Sequence, residues 1–269
     1  MYSVSMADAI YGINNSTKQM EKYTLQLETG KRINKAADDA AGMAIANQLR
    51  AQHEGLSQAI RNSKEAISLT NIADGALQEY TDILMLAREK ASQAVSDSNS
   101  DESRAALEAD VRELLQSADE IAKQTSFNGI NLLDGTFTNK KFQTGAYSGQ
   151  TTNISIDSVQ IADLGIDDAS IDLTTGSGAE AALDSLDKAL KTLDGVRSGI
   201  GSVTQALESR VRNMTVGVIN VSDSESNIRD VDEAAARAEL DKWNIRNQAA
   251  TFAYQMSQQT QQNILRLFQ

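Results

Sequence analysis

Residues 31–50 read KRINKAADDAAGMAIANQLR, and this stretch is the most informative part of the chain. Alanine and glycine fill seven of its positions, and such small side chains let a helix or turn approach neighbouring backbone closely. Two adjacent carboxylates, Asp38 and Asp39, lie beside the basic residues Arg32 and Lys35. On composition alone, the stretch is equally consistent with an alanine-rich helix whose charged face is solvated.

The overall composition excludes several classes of partner. A net charge of −12 over 269 residues argues against nucleic acid or an anionic membrane surface. The chain has no cysteine, so disulfide and thiol chemistry are excluded. It shows neither a basic-then-apolar signal segment nor an apolar run approaching the roughly 18 residues of a membrane span. If the protein is exported, we therefore expect a route without a cleaved signal peptide.

Proline is absent and aromatic residues make up only 4% of the chain. Proline interrupts helices because it removes a backbone donor and clashes with the preceding turn. Its absence predicts long, uninterrupted helices that pack on aliphatic seams.

Heptad spacing recurs along much of the sequence and predicts a helical bundle. One seam, between residues 66 and 87, steps by three and four residues, and a second seam lies beside it. Two adjoining seams indicate contact with more than one other helix. The seam residues are Ala66, Leu69, Ala73, Ala76, Tyr80, Ile83 and Ala87, with Ile60, Ile67, Leu77, Leu84 and Ala91 in the second.

The two ends of the chain are also predicted to be helical. Residues 1–31 carry only a thin apolar stripe, which is marginal for an isolated helix in water. A serine-rich break at residues 222–226 is predicted to precede a final helix with a heptad frame of its own. Its members are Ala238, Ile245, Ala249, Phe252 and Met256. A chain that goes out and returns along helices can pair its two ends antiparallel and form a rod.

The middle of the sequence predicts a small β region. Two β-type runs flank the glycine-bearing residues 145–149, which indicates a β-hairpin. Residues 157–178 are predicted to be either loop or a short additional strand at residues 159–161.

Several motifs closely resemble those of bacterial flagellin, the subunit of the flagellar filament. RINKAADDAAGMAIA at residues 32–46 resembles the N-terminal signature of that family. QTSFNGINLLDG at residues 124–135 and FQTGAYSGQTTNISI at residues 142–156 are similar to its core and hairpin. SNIRDVDEAAARAEL at residues 226–240 and QMSQQTQQNILRLF at residues 255–268 are similar to its C-terminal region.

The resemblance implies a mainly α fold: a long antiparallel helical bundle or coiled-coil rod built from both chain ends, with a small β-hairpin region in the middle. Residues 1–45 plus 230–269 would form a terminal helical domain in the filament core. Residues 46–135 plus 176–229 would form a helical rod domain, with residues 136–175 as its hairpin and loop. Too little sequence separates the hairpin from the returning helix for a large outer domain.

The function that follows is a structural subunit, not an enzyme, that self-assembles into an extracellular bacterial filament. Its implied partners are copies of itself, the flagellar export apparatus and an export chaperone, the filament cap and hook-associated proteins. We expect no cofactor and no metal. The residues predicted to make subunit or domain contacts are Arg32, Asn34, Asp38, Asp39, Phe252, Met256, Ile264, Leu265, Leu267 and Phe268.

The resemblance also implies a surface that faces vertebrate innate receptors, built from Leu86, Arg88, Glu89, Lys90 and Asp110. Here the family pattern is altered, because Leu86 stands where an arginine is usual and Lys90 where a leucine is usual. A receptor pocket would have to desolvate an ammonium group lacking a designed partner. We therefore expect weak or absent receptor recognition.

Catalytic motifs are not formed. His53 and Glu54 begin an HExxH zinc pattern, but residue 57 is serine and the chain has no other histidine. Two alternative functions remain at this stage. One is a hook–filament junction protein with the same terminal helices, and the other is an autonomous coiled-coil adhesin or signalling bundle.

Overall fold

The structure is mainly helical, as the sequence predicts. The computed structural model describes residues 6–166 and 171–267, with side chains as far as residue 263. Among these residues no helix combines the length and the apolar composition that crossing a membrane requires. The helices are α1 (Met6–Thr29), α2 (Ala40–Val95), α3 (Asp101–Gln124), α4 (Gly176–Arg229) and α5 (Glu233–Leu267). The strands are β1 (Ser126–Phe127), β2 (Ile130–Asn131), β3 (Lys140–Gln143) and β4 (Thr151–Ile154).

The chain divides into two compact units. The terminal unit comprises Met1–Gln52 and Ile219–Gln269, and the central unit comprises His53–Val218. Both boundaries fall inside helices, one in α2 and one in α4. The terminal unit therefore combines the two ends of the chain.

One apolar core holds the central unit together. It draws side chains from α2, α3, α4 and the segments around the two hairpins. Both predicted seams of α2 contribute to it, which confirms that this helix contacts more than one neighbour. The largest fully buried side chains of this core are Leu77, Tyr80, Leu84, Leu132, Leu133, Phe137, Ile154, Ile156, Ile166, Ile171 and Leu173.

Tyr80 lies in this core with its hydroxyl out of reach of water and without a hydrogen-bond partner among the described residues. A buried hydroxyl with no partner destabilises a fold. We expect Tyr80→Phe to raise the free energy of unfolding by about 1 kcal/mol. Urea denaturation measures this, with Tyr147→Phe as a control because Tyr147 is half exposed.

The same variant should change the dependence of stability on alkaline pH. Burial, and to a lesser degree the charge of Asp119, raises the pKa of the Tyr80 hydroxyl above its usual 10.0. The unfolded chain thus releases this proton at a lower pH than the folded chain, so stability falls as pH rises above 10.0. Tyr80→Phe should make that fall shallower. A variant that is less stable than the wild type at neutral pH would contradict the assignment.

The two hairpins lie between α3 and α4. β1 and β2 are joined by Asn128 and Gly129, both with positive φ, as a two-residue hairpin turn requires. β3 and β4 pair antiparallel with Lys140 opposite Ile154, which confirms the hairpin predicted around residues 145–149. Only residues 155–175 separate this hairpin from α4.

Glycine at position 55 lets the second hairpin pack closely on α2. A Cβ at Gly55 would lie 3.1 Å from the Cβ of Ala146 in the hairpin loop. The Asn62 amide of α2 also donates to the Gln143 carbonyl at 3.1 Å. Both contacts lie within the central unit and fix the hairpin there.

One local prediction is wrong, and one of two alternatives is not realised. Residues 159–161 do not form the short strand that was the alternative to a loop, although the Val159 amide donates to the Leu133 carbonyl at 3.0 Å. A single bond of this kind holds the backbone against its neighbour without starting a ladder. Residues 222–226 do not break the helix either, because α4 continues to Arg229. The helix ends at Arg229, because the Arg229 carbonyl accepts the backbone N–H of Arg32 instead of one from a further helical turn.

Candidate assembly site

The signature stretch begins as a turn, residues 30–39, and becomes helical only at Ala40. Within this turn one carboxylate oxygen of Asp38 accepts the backbone N–H groups of Lys35, at 2.9 Å, and Asn34, at 3.1 Å. These bonds hold the pKa of Asp38 below its usual value, since they favour the charged form. The Asn34 side chain closes the turn by donating to the Lys31 carbonyl at 2.7 Å. Asp38 therefore stabilises the fold of its own loop.

Asp39 begins α2. Its carboxylate accepts the backbone N–H of Gly42 at 2.9 Å, which is the geometry of a helix N-cap. Glycine is needed at position 42, because a Cβ there would lie 2.9 Å from the Cδ1 of Ile33 and would collide with the capping carboxylate. Ile33 itself is buried. The small residues of the signature thus allow this turn to close over its own side chains.

A second turn, residues 230–232, joins α4 to α5, and it is bonded to the first. The Arg32 backbone N–H donates to the Arg229 carbonyl at 2.7 Å, and its guanidinium donates to the Ile228 carbonyl at 2.6 Å. In the other direction, the Val231 N–H donates to the Gly30 carbonyl at 3.1 Å. We call residues 30–33 and 228–231 the turn clasp. It ends α4 and provides Arg32 as a cation at the negative end of that helix.

A cavity of about 350 Å³ opens beside the turn clasp, between α1 and α5. Its walls carry both signs of charge, so it suits a polar or charged group better than an apolar one. No cluster of histidine and carboxylate residues within the described part of the chain could hold a metal ion. The charged residues lining the cavity are Lys22, Arg32, Asp38, Asp39, Asp232 and Glu239.

Small and polar side chains join α1 to α5. The Asn247 amide nitrogen of α5 lies 3.0 Å from the Ser16 hydroxyl and 3.2 Å from the Thr17 hydroxyl of α1. Ser16 is buried. One turn away, a Cβ at Gly12 would lie 3.5 Å from the Cβ of Ala250, so the two helices are close there. These contacts define the inward face of α5.

The apolar heptad frame of α5 does not take part in this packing. Ala238, Ile245, Ala249, Phe252 and Met256 are all exposed, with 64% of Phe252 and 50% of Met256 accessible. With 3.6 residues per turn, this frame lies on the side of α5 opposite Asn247 and Ala250. We call it the outward face. The sequence predicted that the two chain ends pair, and they do, but through a different set of residues.

Four predicted contact residues cannot be placed. The side chains of Ile264, Leu265 and Leu267, and all of Phe268, lie outside the described residues.

Three of the predicted receptor-facing residues, Arg88, Lys90 and Asp110, form ion pairs within the chain. Both guanidinium contacts of Arg88 go to the Asp187 carboxylate, at 2.5 and 3.2 Å, and they hold the pKa of Asp187 below its usual value. Lys90 donates to Asp110 at 3.1 Å. α3 thus brings a carboxylate of the chain itself beside the Lys90 ammonium. Leu86 and Glu89 are exposed.

Sequence reasoning missed three residues of these sites: Asn247, Arg229 and Asp187. Asn247 could have been noticed, because it shares a heptad frame with Trp243 and Ala250. Arg229 lies in the turn clasp and donates to the Ile33 carbonyl at 3.4 Å. It and Asp187 find partners more than 90 residues away in the sequence, and no local pattern indicates such pairs.

Both ends of the chain match known protein families. Residues 3–138 match the bacterial flagellin N-terminal helical region, and residues 183–268 match the bacterial flagellin C-terminal helical region. A flagellin of Halalkalibacterium halodurans is 37% identical over 255 residues, which cover 95% of this chain and 92% of that protein. A flagellar filament 31.3 kDa core protein of Treponema maltophilum is 31% identical, covering 99% and 98% of the two chains. These relatives are similar in length, as a chain without large outer domains should be.

Solved structures agree with the fold. The crystal structure of Bacillus cereus flagellin aligns with a TM-score of 0.52 and 28% identity, over 57% of this chain and 88% of that one. A hook-associated protein of Vibrio parahaemolyticus aligns with a TM-score of 0.62 over 72% of this chain and all of that one, but at 13% identity it supports the fold alone. With its signature turn, its returning helices and matches to both flagellin regions, the chain belongs to the bacterial flagellin family.

Proposed function

We propose that this chain polymerises through the outward face of α5 and that the turn clasp keeps its terminal unit in the shape that polymerisation needs. As a flagellin, it is a structural subunit of the flagellar filament. The proposal concerns which residues make the contacts. Residues 1–45 plus 230–269 would then form the filament core, with residues 46–135 plus 176–229 as the rod domain and residues 136–175 as its hairpin segment.

One observation carries this proposal: α5 leaves an apolar heptad frame exposed. Exposed apolar side chains at heptad spacing are those that a second helix buries. The filament consists of many copies of one chain, so the partner that fits is a second copy of this chain. Two residues of this face, Phe252 and Met256, were predicted as subunit contacts. Ile264, Leu265, Leu267 and Phe268 stay predicted subunit contacts.

The roles of the polar and charged signature residues follow from their bonds within the subunit. Arg32, Asn34, Asp38 and Asp39 each bond to their own chain in the terminal unit. They would act on assembly by fixing the two turns from which α1 and α5 extend. A direct bond from these residues to a neighbouring subunit is not needed for that role.

The remaining predicted partners are the proteins that export a flagellin and place it in the filament. We infer that the export apparatus secretes the chain with the help of an export chaperone and without a cleaved signal peptide. The subunit would then be placed beneath the filament cap, beyond the hook-associated proteins. Secreted protein with an intact N-terminal sequence would support this, and a shortened N-terminus would contradict it.

We also infer that vertebrate receptors recognise this chain weakly. Arg88 and Lys90 already have carboxylate partners, and Leu86 lacks the bidentate donor of an arginine. A receptor would have to compete with these pairs for the same charges.

Leu86→Arg combined with Lys90→Leu is therefore expected to lower the concentration needed for half-maximal response by about tenfold, since one charge-assisted contact is worth roughly 1.5–3 kcal/mol. Monomeric protein on receptor-expressing reporter cells measures this. Glu54→Gln serves as the control, because Glu54 is exposed on α2 and lies many turns away from Leu86. An unsubstituted chain as potent as a flagellin with the usual motif would refute the inference.

Seeded assembly tests the proposed function. Heat-monomerised protein should extend sheared filament seeds on cooling, and negative-stain imaging should show long filaments. A hook–filament junction protein would bind seed ends without elongating them. An autonomous coiled-coil adhesin or signalling bundle would not bind them at all. Either of those results would replace the proposal.

A further inference from the structure

We propose that Asn247 is a positioning residue that selects which face of α5 packs on α1, and that it thereby keeps the outward face free for a neighbouring subunit. The selection itself is a property of the terminal unit alone. Its consequence for polymerisation rests on the proposed role of the outward face.

A selection is needed because α5 has two faces that could cover α1. The outward face offers Ile245, Phe252 and Met256, whereas the inward face offers Asn247 and Ala250 at the points of closest contact. The inward frame also carries Trp243 and Tyr254, so both faces offer apolar area to bury. Apolar burial alone therefore does not fix which face packs on α1, and a rotated α5 would lose the surface that polymerisation needs.

The polar contacts oppose this rotation. The Asn247 side-chain nitrogen donates to the hydroxyls of Ser16 and Thr17 and lies 3.5 Å from the Ile13 carbonyl. Ser16 in turn donates to the Gly12 carbonyl at 2.7 Å, so the amide joins an existing bonded group. A single asparagine in a helix seam is known to specify pairing at the expense of stability, because mispaired arrangements leave it without partners.

The space between the helices does not decide between the two arrangements. At Gly12 the two helices come close, and α5 places Ala250 opposite. A rotated α5 would place Ala249 there, which is equally small. The choice of face therefore depends on the hydrogen bonds of Asn247.

The absence of cysteine allows this arrangement to be measured directly. Gly12→Cys with Ala250→Cys reports the inward face, because the two Cβ positions lie at a separation that a disulfide accepts. Gly12→Cys with Ala249→Cys reports the rotated arrangement. Each cysteine pair is made in a chain with native Asn247 and in a chain with Asn247→Leu. Each variant is mixed at low proportion with wild-type subunits during seeded growth. The mixture is then oxidised. Pelleted filaments and supernatant are analysed separately, and a crosslink within one chain is told from one between chains by gel mobility.

With native Asn247, the 12–250 pair should crosslink within the chain in the pellet and the 12–249 pair should not. With Asn247→Leu, crosslinking should move to the 12–249 pair and the protein should remain in the supernatant. Gln248→Leu adds the same apolar side chain at an exposed neighbouring position and should keep the native crosslink.

Two results would overturn the proposal. If Asn247→Leu keeps the 12–250 crosslink, Asn247 does not select the face. If neither pair crosslinks in Asn247→Leu while the central unit stays folded, Asn247 is needed for pairing and not for the choice of face. A failure of the wild-type chain to polymerise would instead refute the proposed function, and a 12–250 crosslink in that soluble chain would still report the selection.

Discussion

Replacing Asp38 and Asp39 together by alanine is expected to stop seeded filament growth, whereas replacing both by asparagine should leave it nearly intact. Both carboxylates accept backbone N–H groups of their own turn, and asparagine keeps a side-chain oxygen for that purpose. Loss of a cap costs about 0.5–2 kcal/mol at each position. Alanine should therefore release the turn from which α1 and α2 extend, and asparagine should hold it.

This comparison separates two explanations for the signature. If the charges bonded to neighbouring subunits, the asparagine variant would fail as badly as the alanine variant, since it removes both charges. Sedimentation of seeded reactions measures growth, and circular dichroism should show that both variants keep most of their helix. Equal failure of the two variants would restore the direct subunit contact that the sequence suggested.

The pKa of Asp38 adds a second observable to this test. Its backbone bonds lower the folded-state pKa, so the carboxylate stabilises the turn above its unfolded pKa and loses that effect as pH falls through the folded value. Filaments of the wild type should accordingly weaken in acid. Filaments of the asparagine variant lack this contribution and should show a smaller dependence on pH in that range.

Replacing Phe252 and Met256 by serine is expected to reduce the rate of seeded growth by more than tenfold. Full burial of one such side chain contributes about 1.5–3 kcal/mol, and 1.4 kcal/mol corresponds to a factor of ten. Both residues are exposed in the subunit, so its thermal unfolding should be unchanged. The loss would then arise in the contact between subunits and not in the subunit itself.

The matched control is Gln255→Ser with Gln259→Ser. These residues are also exposed on α5 and carry side chains of similar length, but they offer no apolar area. They should support growth close to the wild-type rate. If the Phe252 and Met256 variant grows normally, the outward face does not contact a second subunit, and α5 must polymerise through other residues.

Much of this protein could be predicted from the sequence because the relevant signals are local. The heptad seams of α2, the absence of proline and the β-type runs around residues 145–149 each act within a few residues, and each gave the right element. The motifs at both chain ends likewise indicate the family by themselves. Seam spacing was enough to indicate that α2 contacts more than one helix, because a second apolar stripe is stable in water only when another element buries it.

Tertiary structure decided the rest, and in each case a distant partner outweighed a local preference. The serine-rich residues 222–226 favour a break, yet α4 continues until Arg229, where Arg32 from the opposite end of the chain supplies donors for its last carbonyls. The apolar frame of α5 favours burial, yet it lies exposed while Asn247 and Ala250 contact α1. Spacing along a helix determines which residues share a face. It does not determine which face is used, because that depends on hydrogen bonds contributed by residues more than 200 positions away.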